Sequence, residues 1–259
     1  MSAQLKSETQ GQTLVLTLSN PGFRNALGPD IYSAGFEALG AAETNPAVRS
    51  VVITGEGSTF SAGGNLHRLL ANREQDPGVQ AASIEGLHTW LEAIRTYPKP
   101  VIASIEGAAA GAGFSLALMC DFVLAAQDSI FVMAYSNIAL SPDGGGSWNL
   151  ARSLPRPVAN EILMLGDRIS AVRLHQLGWI NQLCNPGETL GQALQLADRL
   201  NARAPNALTG IKDLVNAASH SSLNEHLTLE KTHFVSQLHH PNAAEGITAL
   251  LDKRTPHYR

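Results

Sequence analysis

Residues 99–121 read KPVIASIEGAAAGAGFSLALMCD, and this stretch decides the fold. It opens with an apolar, β-branched run from Val101 to Ile105, the signature of a buried strand bounded in front by Pro100. From Gly107 to Gly113 no side chain is larger than a methyl group. An apolar segment, Phe114 to Met119, then reads as a helix. Small residues at a strand-to-helix turn let another group approach the backbone closely, and the first N–H groups of a helix are unpaired and attract negative charge. Two uses of such a turn stay open: tight packing of helix on sheet, or close approach of a ligand.

Working outward, the pattern of strands alternating with helices repeats. Leu14–Leu18 is an apolar strand closed by Asn20-Pro21-Gly22, and Ser50–Thr54 is a second buried strand. Phe122–Ala126 and Ile130–Met133 follow the central stretch. Helices are expected over 31–42, 66–71 and 82–96, with a polar loop over 72–80 around Asp76-Pro77-Gly78. Such alternation implies βαβ units, a largely parallel sheet and right-handed crossovers. After Pro142-Asp143-Gly144-Gly145-Gly146 the chain reads as helices at 147–153, 157–165, 170–177, 189–204, 206–218, 222–238 and 241–252, interrupted by a short apolar piece at Trp179-Ile180-Asn181. The expectation is an α/β core over 1–190 and a helical region over 191–259.

Composition narrows the class. With 259 residues, 44% of them hydrophobic and 15% charged, the chain can bury a large core. The net charge of −4 and the absence of a basic run argue against nucleic acid or an anionic membrane as partner. Cys120 and Cys184 form no CxxC pair, and Cys120 sits in an apolar run, so reduced thiols and a cytoplasmic location are expected. The polar stretch Met1–Gln12 lacks the pattern of a secretory leader, and no apolar run reaches the length of a membrane span.

The familiar cofactor motifs are missing. There is no Gly-Lys pair for a P-loop, the glycine clusters lack the third glycine of a dinucleotide fingerprint, and HExxH is absent. Neither a metal nor a dissociable cofactor is expected, and His239-His240 reads as surface or capping histidine. What remains is a pair of similar turns, Ala62-Gly63-Gly64-Asn65 after strand 50–54 and Gly111-Ala112-Gly113 after strand 101–105. In a parallel sheet both open at the carboxyl ends of the strands. Two backbone N–H groups from such turns can converge on one carbonyl oxygen, which is how an oxyanion hole is built. Asp143, between Pro142 and three glycines, either builds a turn or supplies a carboxylate to that site.

At these residues the sequence resembles the crotonase superfamily, the enoyl-CoA hydratase/isomerase family, from Leu14 to Lys253. The marks are Arg24-Asn25-Ala26-Leu27, Phe60-Ser61-Ala62-Gly63-Gly64-Asn65-Leu66, Pro98–Ala103, Gly107–Gly113, Cys120-Asp121, Pro142–Gly146, Leu165–Ala171 and Glu245-Gly246. Each is loose; their order and spacing together are specific. The resemblance implies an α/β crotonase (ClpP/crotonase-like) fold, a spiral of ββα repeats with a helical C-terminal trimerisation region. It implies an acyl-CoA thioester substrate, with coenzyme A as part of that substrate, and a homotrimer or homohexamer. By position, Gly64 and Ala112 are the oxyanion donors, and Arg24, Ala62, Asn65 and Leu66 hold coenzyme A. Phe234 and Lys253 match positions that approach the coenzyme A of a neighbouring subunit.

The departures from the family pattern bear on the reaction. Where family hydratases carry two glutamates, this chain has Ser115 and Tyr135, neither a carboxylate base near neutral pH. Asp143 matches an aspartate that serves as acid/base in dienoyl-CoA isomerases and in phenylacetate-pathway epoxide isomerases. The pattern, including 136–148 and Arg173-Leu174-His175, is most similar to the isomerase-like or oxepin-CoA-related branch. The expectation is therefore a shift of a double bond or of a ring-derived acyl group with Asp143 carrying the proton. Hydration, a nucleophilic Asp143 acting on an aryl-CoA, and a non-catalytic acyl-CoA-binding oligomer are the alternatives. Tyr135 and Trp148 either line an acyl pocket or belong to the core, the latter being the expectation for Trp148.

Overall fold

The computed structural model describes residues 3–259. Its strands and helices in chain order are β1 (Gln4–Gln10), β2 (Thr13–Ser19), α1 (Pro29–Glu43), β3 (Ser50–Gly55), α2 (Leu66–Arg73), α3 (Pro77–Thr96), β4 (Val101–Ile105), β5 (Ala108–Ala110), α4 (Ala112–Met119), β6 (Phe122–Ala126) and β7 (Ile130–Val132). There follow α5 (Gly146–Ser153), α6 (Arg156–Asn160), β8 (Ile169–Ser170), α7 (Ala171–Gln176), β9 (Gln182–Cys184), α8 (Thr189–Asn201), α9 (Pro205–Ala218), α10 (Leu223–Leu238) and α11 (Pro241–Leu251). The main sheet has the order β1-β2-β3-β4-β6-β9, and a three-stranded sheet has the order β5-β7-β8. Within the main sheet only the β1–β2 pair is antiparallel.

The central strands are continuous apolar runs because both faces of the sheet are covered, as parallel sheets require. Val51, Ile53, Val101, Ala103 and Ile105 face the larger core, which they share with Ile31, Leu87, Leu91 and Ile94 of α1 and α3. The alternate residues Val52, Ile102 and Leu124 face Ala193 and Ala197 of α8. Period-two alternation thus separates two layers of helix rather than core from solvent. The indole of Trp90 is fully buried and packs across α1 at Gly35, where any side chain would run into it. Truncating such a side chain costs about 3–5 kcal/mol in comparable cores.

Several expected elements differ in the structure. Residues 4–10 form β1, paired along its full length with β2; it is an exposed polar edge, so it carries no apolar signal. The segment 72–80 is not all loop: Asp76 caps α3, its carboxylate accepting from the Gly78 N–H at 2.8 Å, and Pro77 occupies the first turn. The helix expected over 157–165 is α6 followed by a π-helical turn over Glu161–Leu165. The short apolar piece Trp179-Ile180-Asn181 leads directly into a strand, β9, which the sequence reading did not assign. The 107–113 run is not one turn, because Ala108–Ala110 is strand β5, paired with β7. Cys184 is buried, and Cys120, though partly exposed as a residue, turns its Sγ inward onto Leu116 O at 3.5 Å, where desolvation pushes the thiol up. His240 does cap a helix, its Nδ1 accepting from the Asn242 N–H at 3.1 Å. Among the described residues no helix is long and apolar enough to cross a membrane.

The chain end folds back on α11. Arg254 donates to both Glu245 oxygens at 2.7 and 2.8 Å, and the His257 N–H donates to Oε1 at 2.8 Å. These donors lower the Glu245 pKa from 4.5 to about 2. Because the folded value is depressed, the clamp contributes fully above pH ~4.5 and is lost as pH falls toward 2. The protection of the 253–258 amides relative to their intrinsic exchange rates should therefore fall between those limits while the core strands stay protected, and Glu245→Gln should show the low protection already at pH 7.

Candidate active site

The site begins with two strand ends sewn together by backbone. The segment after β3 returns along β5: the Ser61 N–H donates to Ala108 O at 3.0 Å and the Ala110 N–H to Ser61 O at 2.9 Å. The Ser61 hydroxyl donates to Asn25 O at 2.8 Å and accepts from the Gly63 N–H at 3.1 Å. Asn25 has a left-handed backbone (φ 56°) and donates its amide to Glu56 O and Thr59 O. The Ala62 N–H donates to Arg24 O at 2.9 Å, and the Leu27 N–H to Gly63 O at 2.7 Å. Three chain segments distant in sequence are thus held in one register.

Glycine is required where these segments touch. Gly63 has φ +84°, and a Cβ there would stand 2.5 Å from Ala110 O and 3.2 Å from Ala112 N. A Cβ on Gly113 would stand 2.7 Å from Ser61 Cβ. The two glycine turns therefore meet, although the second follows β5 rather than β4 directly. Gly111 (φ 49°, ψ −122°) turns the chain into α4 in a conformation only glycine adopts readily. Among the described residues no group accepts a hydrogen bond from the Gly64 N–H or the Ala112 N–H. The Ala112 N–H lies in the first turn of a buried helix, where donors are free by geometry. Two such donors side by side can hold a partial negative charge on oxygen.

Asp143 lies on the loop entering α5. Its carbonyl accepts from the Ser115 hydroxyl at 3.1 Å and the Gly146 N–H at 3.3 Å, and so builds the turn. Its carboxylate does something else: Oδ1 accepts from the Tyr135 hydroxyl at 2.5 Å. Burial and the Asp143 charge push the Tyr135 pKa well above the usual range, so the phenol stays a donor. The Gly144 N–H points to His88 Nε2 at 3.4 Å, tying the loop to α3. Left-handed φ values at Gly144 and Gly145, and a Gly146 Cβ position only 2.8 Å from Ser115 Oγ, account for the triple glycine.

The remaining sequence-selected residues fall into two groups. Ala62, Asn65 and Leu66 adjoin the first turn, with Asn65 capping α2 through the Arg68 N–H at 3.2 Å, and Arg24 lies exposed across the Ala62 bond. Phe234 on α10 and Lys253 after α11 are not brought to this cluster: α10 packs chiefly on α9 and α11, and Phe234 is exposed. Trp148 is neither core nor pocket wall. It is half-buried, with the guanidinium groups of Arg95 and Arg152 over its ring at 4.6 and 4.7 Å, and it stacks on His220. Three residues missed by sequence reading join the site: His88, Tyr32 and Arg68. Burial raises the Tyr32 pKa, the neighbouring Arg68 opposes the rise, and the Asp143 charge adds to it. For Arg68 a signal existed: a cation in the first turn of a helix opposes the macrodipole.

The chain matches the model of the family described as enoyl-CoA hydratase/isomerase over residues 8–259. It is 34% identical to 1,2-epoxyphenylacetyl-CoA isomerase of Escherichia coli, covering 97% of each chain. It is 32% identical to 2,3-dehydroadipyl-CoA hydratase of the same organism, covering 99% of each. The crystal structure of an enoyl-CoA hydratase from Polaromonas sp. JS666 superimposes with a TM-score of 0.98 at 66% identity, covering 99% of this chain and 100% of that one. With this fold, these strand-end turns and a match over nearly its whole length, the chain belongs to the enoyl-CoA hydratase/isomerase family of acyl-CoA enzymes, in the crotonase superfamily.

Proposed function

We propose that this enzyme isomerises an unsaturated or ring-derived acyl-CoA through a thioester enolate, with Asp143 as the single proton carrier. The Gly64 and Ala112 N–H groups hold the thioester oxygen, each donor lowering the barrier by roughly 3–4 kcal/mol. Asp143 takes a proton from one carbon of the acyl chain, the electron pair moves onto the thioester oxygen, and the protonated carboxyl, which exchanges with solvent, delivers a proton to another carbon as the enolate collapses. Nothing is added or lost, so one carboxylate is sufficient. The observation that carries this reading is the 2.5 Å bond from Tyr135 to Asp143. The phenol orients the carboxylate from a position where family hydratases have a second acid.

Coenzyme A is held along Arg24, Ala62, Asn65 and Leu66 and is delivered as part of the substrate. The subunit acts within a trimer or hexamer, in which Phe234 and Lys253 reach a neighbour's coenzyme A. Exposed Leu223, Phe234, Leu250 and Leu251 support an assembly that covers this end. Hydration is the second reading, favoured by the 66% identical structure described as an enoyl-CoA hydratase.

Incubating a short enoyl-CoA and phenylacetyl-CoA in D₂O, followed by NMR, separates the two. Isomerisation predicts deuterium next to the thioester and a shifted double bond, with the rate falling about 10²–10⁴-fold in Asp143→Asn. A 3-hydroxyacyl product would instead establish hydration, and unchanged turnover in Asp143→Asn would remove Asp143 from the mechanism. Gly63→Ala, which forces the two turns apart, should cut exchange about 10²–10³-fold while coenzyme A still binds in calorimetry.

A further inference from the structure

Beside the proposed catalytic cluster lies a cation with no counter-ion. Arg68 is in the first turn of α2, and its guanidinium reaches across to the start of α1, where a Cβ on the capping residue Gly28 would stand 2.6 Å from Nη1. Its Nε is buried and has no hydrogen-bond partner. Among the described residues no carboxylate lies within ion-pair distance of Arg68. Tyr32, on the first turns of α1, presents a buried hydroxyl beside the guanidinium, and α1 and α2 both pack on α3, whose His88 meets the Gly144 N–H next to Asp143.

A half-buried guanidinium in this position costs stability twice: it opposes the helix dipole and leaves a buried donor unsatisfied. An apolar acyl chain laid against it would deepen both costs. A carboxylate would remove them, since it accepts two parallel bonds from the guanidinium fork and a third from a phenol. We infer that Arg68, with the Tyr32 hydroxyl, is a specificity-determining anion clamp, and that the acyl group of the substrate carries a carboxylate at the end remote from the thioester. This inference rests on the acyl-CoA reading above and deepens it. Discrimination follows from the rule that a buried polar site rejects a ligand lacking the matching group more strongly than an apolar site rejects a polar one.

The test uses the full chain and calorimetric binding of matched thioesters: succinyl-, glutaryl- and adipyl-CoA against butyryl-, valeryl- and hexanoyl-CoA, with free coenzyme A as reference. In the wild type at least one carboxylated thioester should bind 10-fold or more tightly than its apolar match. In Arg68→Met that preference should vanish with the affinity for free coenzyme A unchanged. The inference is overturned if every apolar thioester binds as well as its carboxylated match, a comparison that needs no variant. It is equally overturned if the preference survives in Arg68→Met, or if that variant weakens free coenzyme A as much as the acylated forms. The last result would put the guanidinium on the coenzyme A phosphates. Failure of coenzyme A and of all six thioesters to bind would instead defeat the acyl-CoA reading and this inference with it.

Discussion

The structure depends on the lateral bond between the segment after β3 and strand β5. Two hydrogen bonds at Ser61, one donated and one accepted, fix the register of the two strand ends. The close approach of Gly63 to Ala110 and of Gly113 to Ser61 then leaves no room for slippage. A shift by one residue would turn every alternate side chain to the wrong face and carry the two turns out of reach of each other. The register is further braced from outside by Asn25, whose left-handed backbone lets one amide serve two carbonyls of the preceding loop. Fold and site are therefore one construction. The sheet exists in this register because the turns fit, and the turns face the same space because of the sheet.

Sequence reading reached the parts of this construction that are written in continuous apolar runs. Strands β4 and β6 were legible to the residue, since a strand buried on both faces leaves a block of β-branched and small apolar residues between turn signals. Strand β1 was not, because an exposed edge is free to be polar and its only obligation is backbone pairing. Strand β5 hid inside a run of alanines, which has no strand preference of its own and is extended only because β7 and Ser61 lie on either side. Pro77 reads as a breaker but opens a helix, and only the carboxylate of Asp76 on the Gly78 N–H distinguishes the two cases.

For the candidate site, the two glycine turns and the Pro142-Asp143-Gly144 turn were legible because turns carry local signatures. The side chains that complete the cluster were not. His88, Tyr32 and Arg68 come from three different helices and meet only after folding. No period or spacing in the chain announces that α1, α2 and α3 converge on the loop before α5. Trp148 shows the opposite failure: an aromatic expected to be core is held at the surface by two guanidinium groups, which satisfies its face without burying it.

In the proposed mechanism the Gly64 and Ala112 donors are main-chain groups, and that origin has an evolutionary consequence. A side-chain donor can be deleted by a single codon change, whereas a backbone N–H survives every substitution except proline. What substitution can do is crowd the turn, so variation there is limited by volume rather than by chemistry. The side chains around Asp143 face no such limit from the donors and are free to be exchanged against them. Such a molecule separates what must be inherited intact, the shape of two turns, from what can diverge, the identity of the acid, the base and the acyl-group partner. On the proposed mechanism, a lineage built this way can change reactions while its means of activating a thioester stays the same.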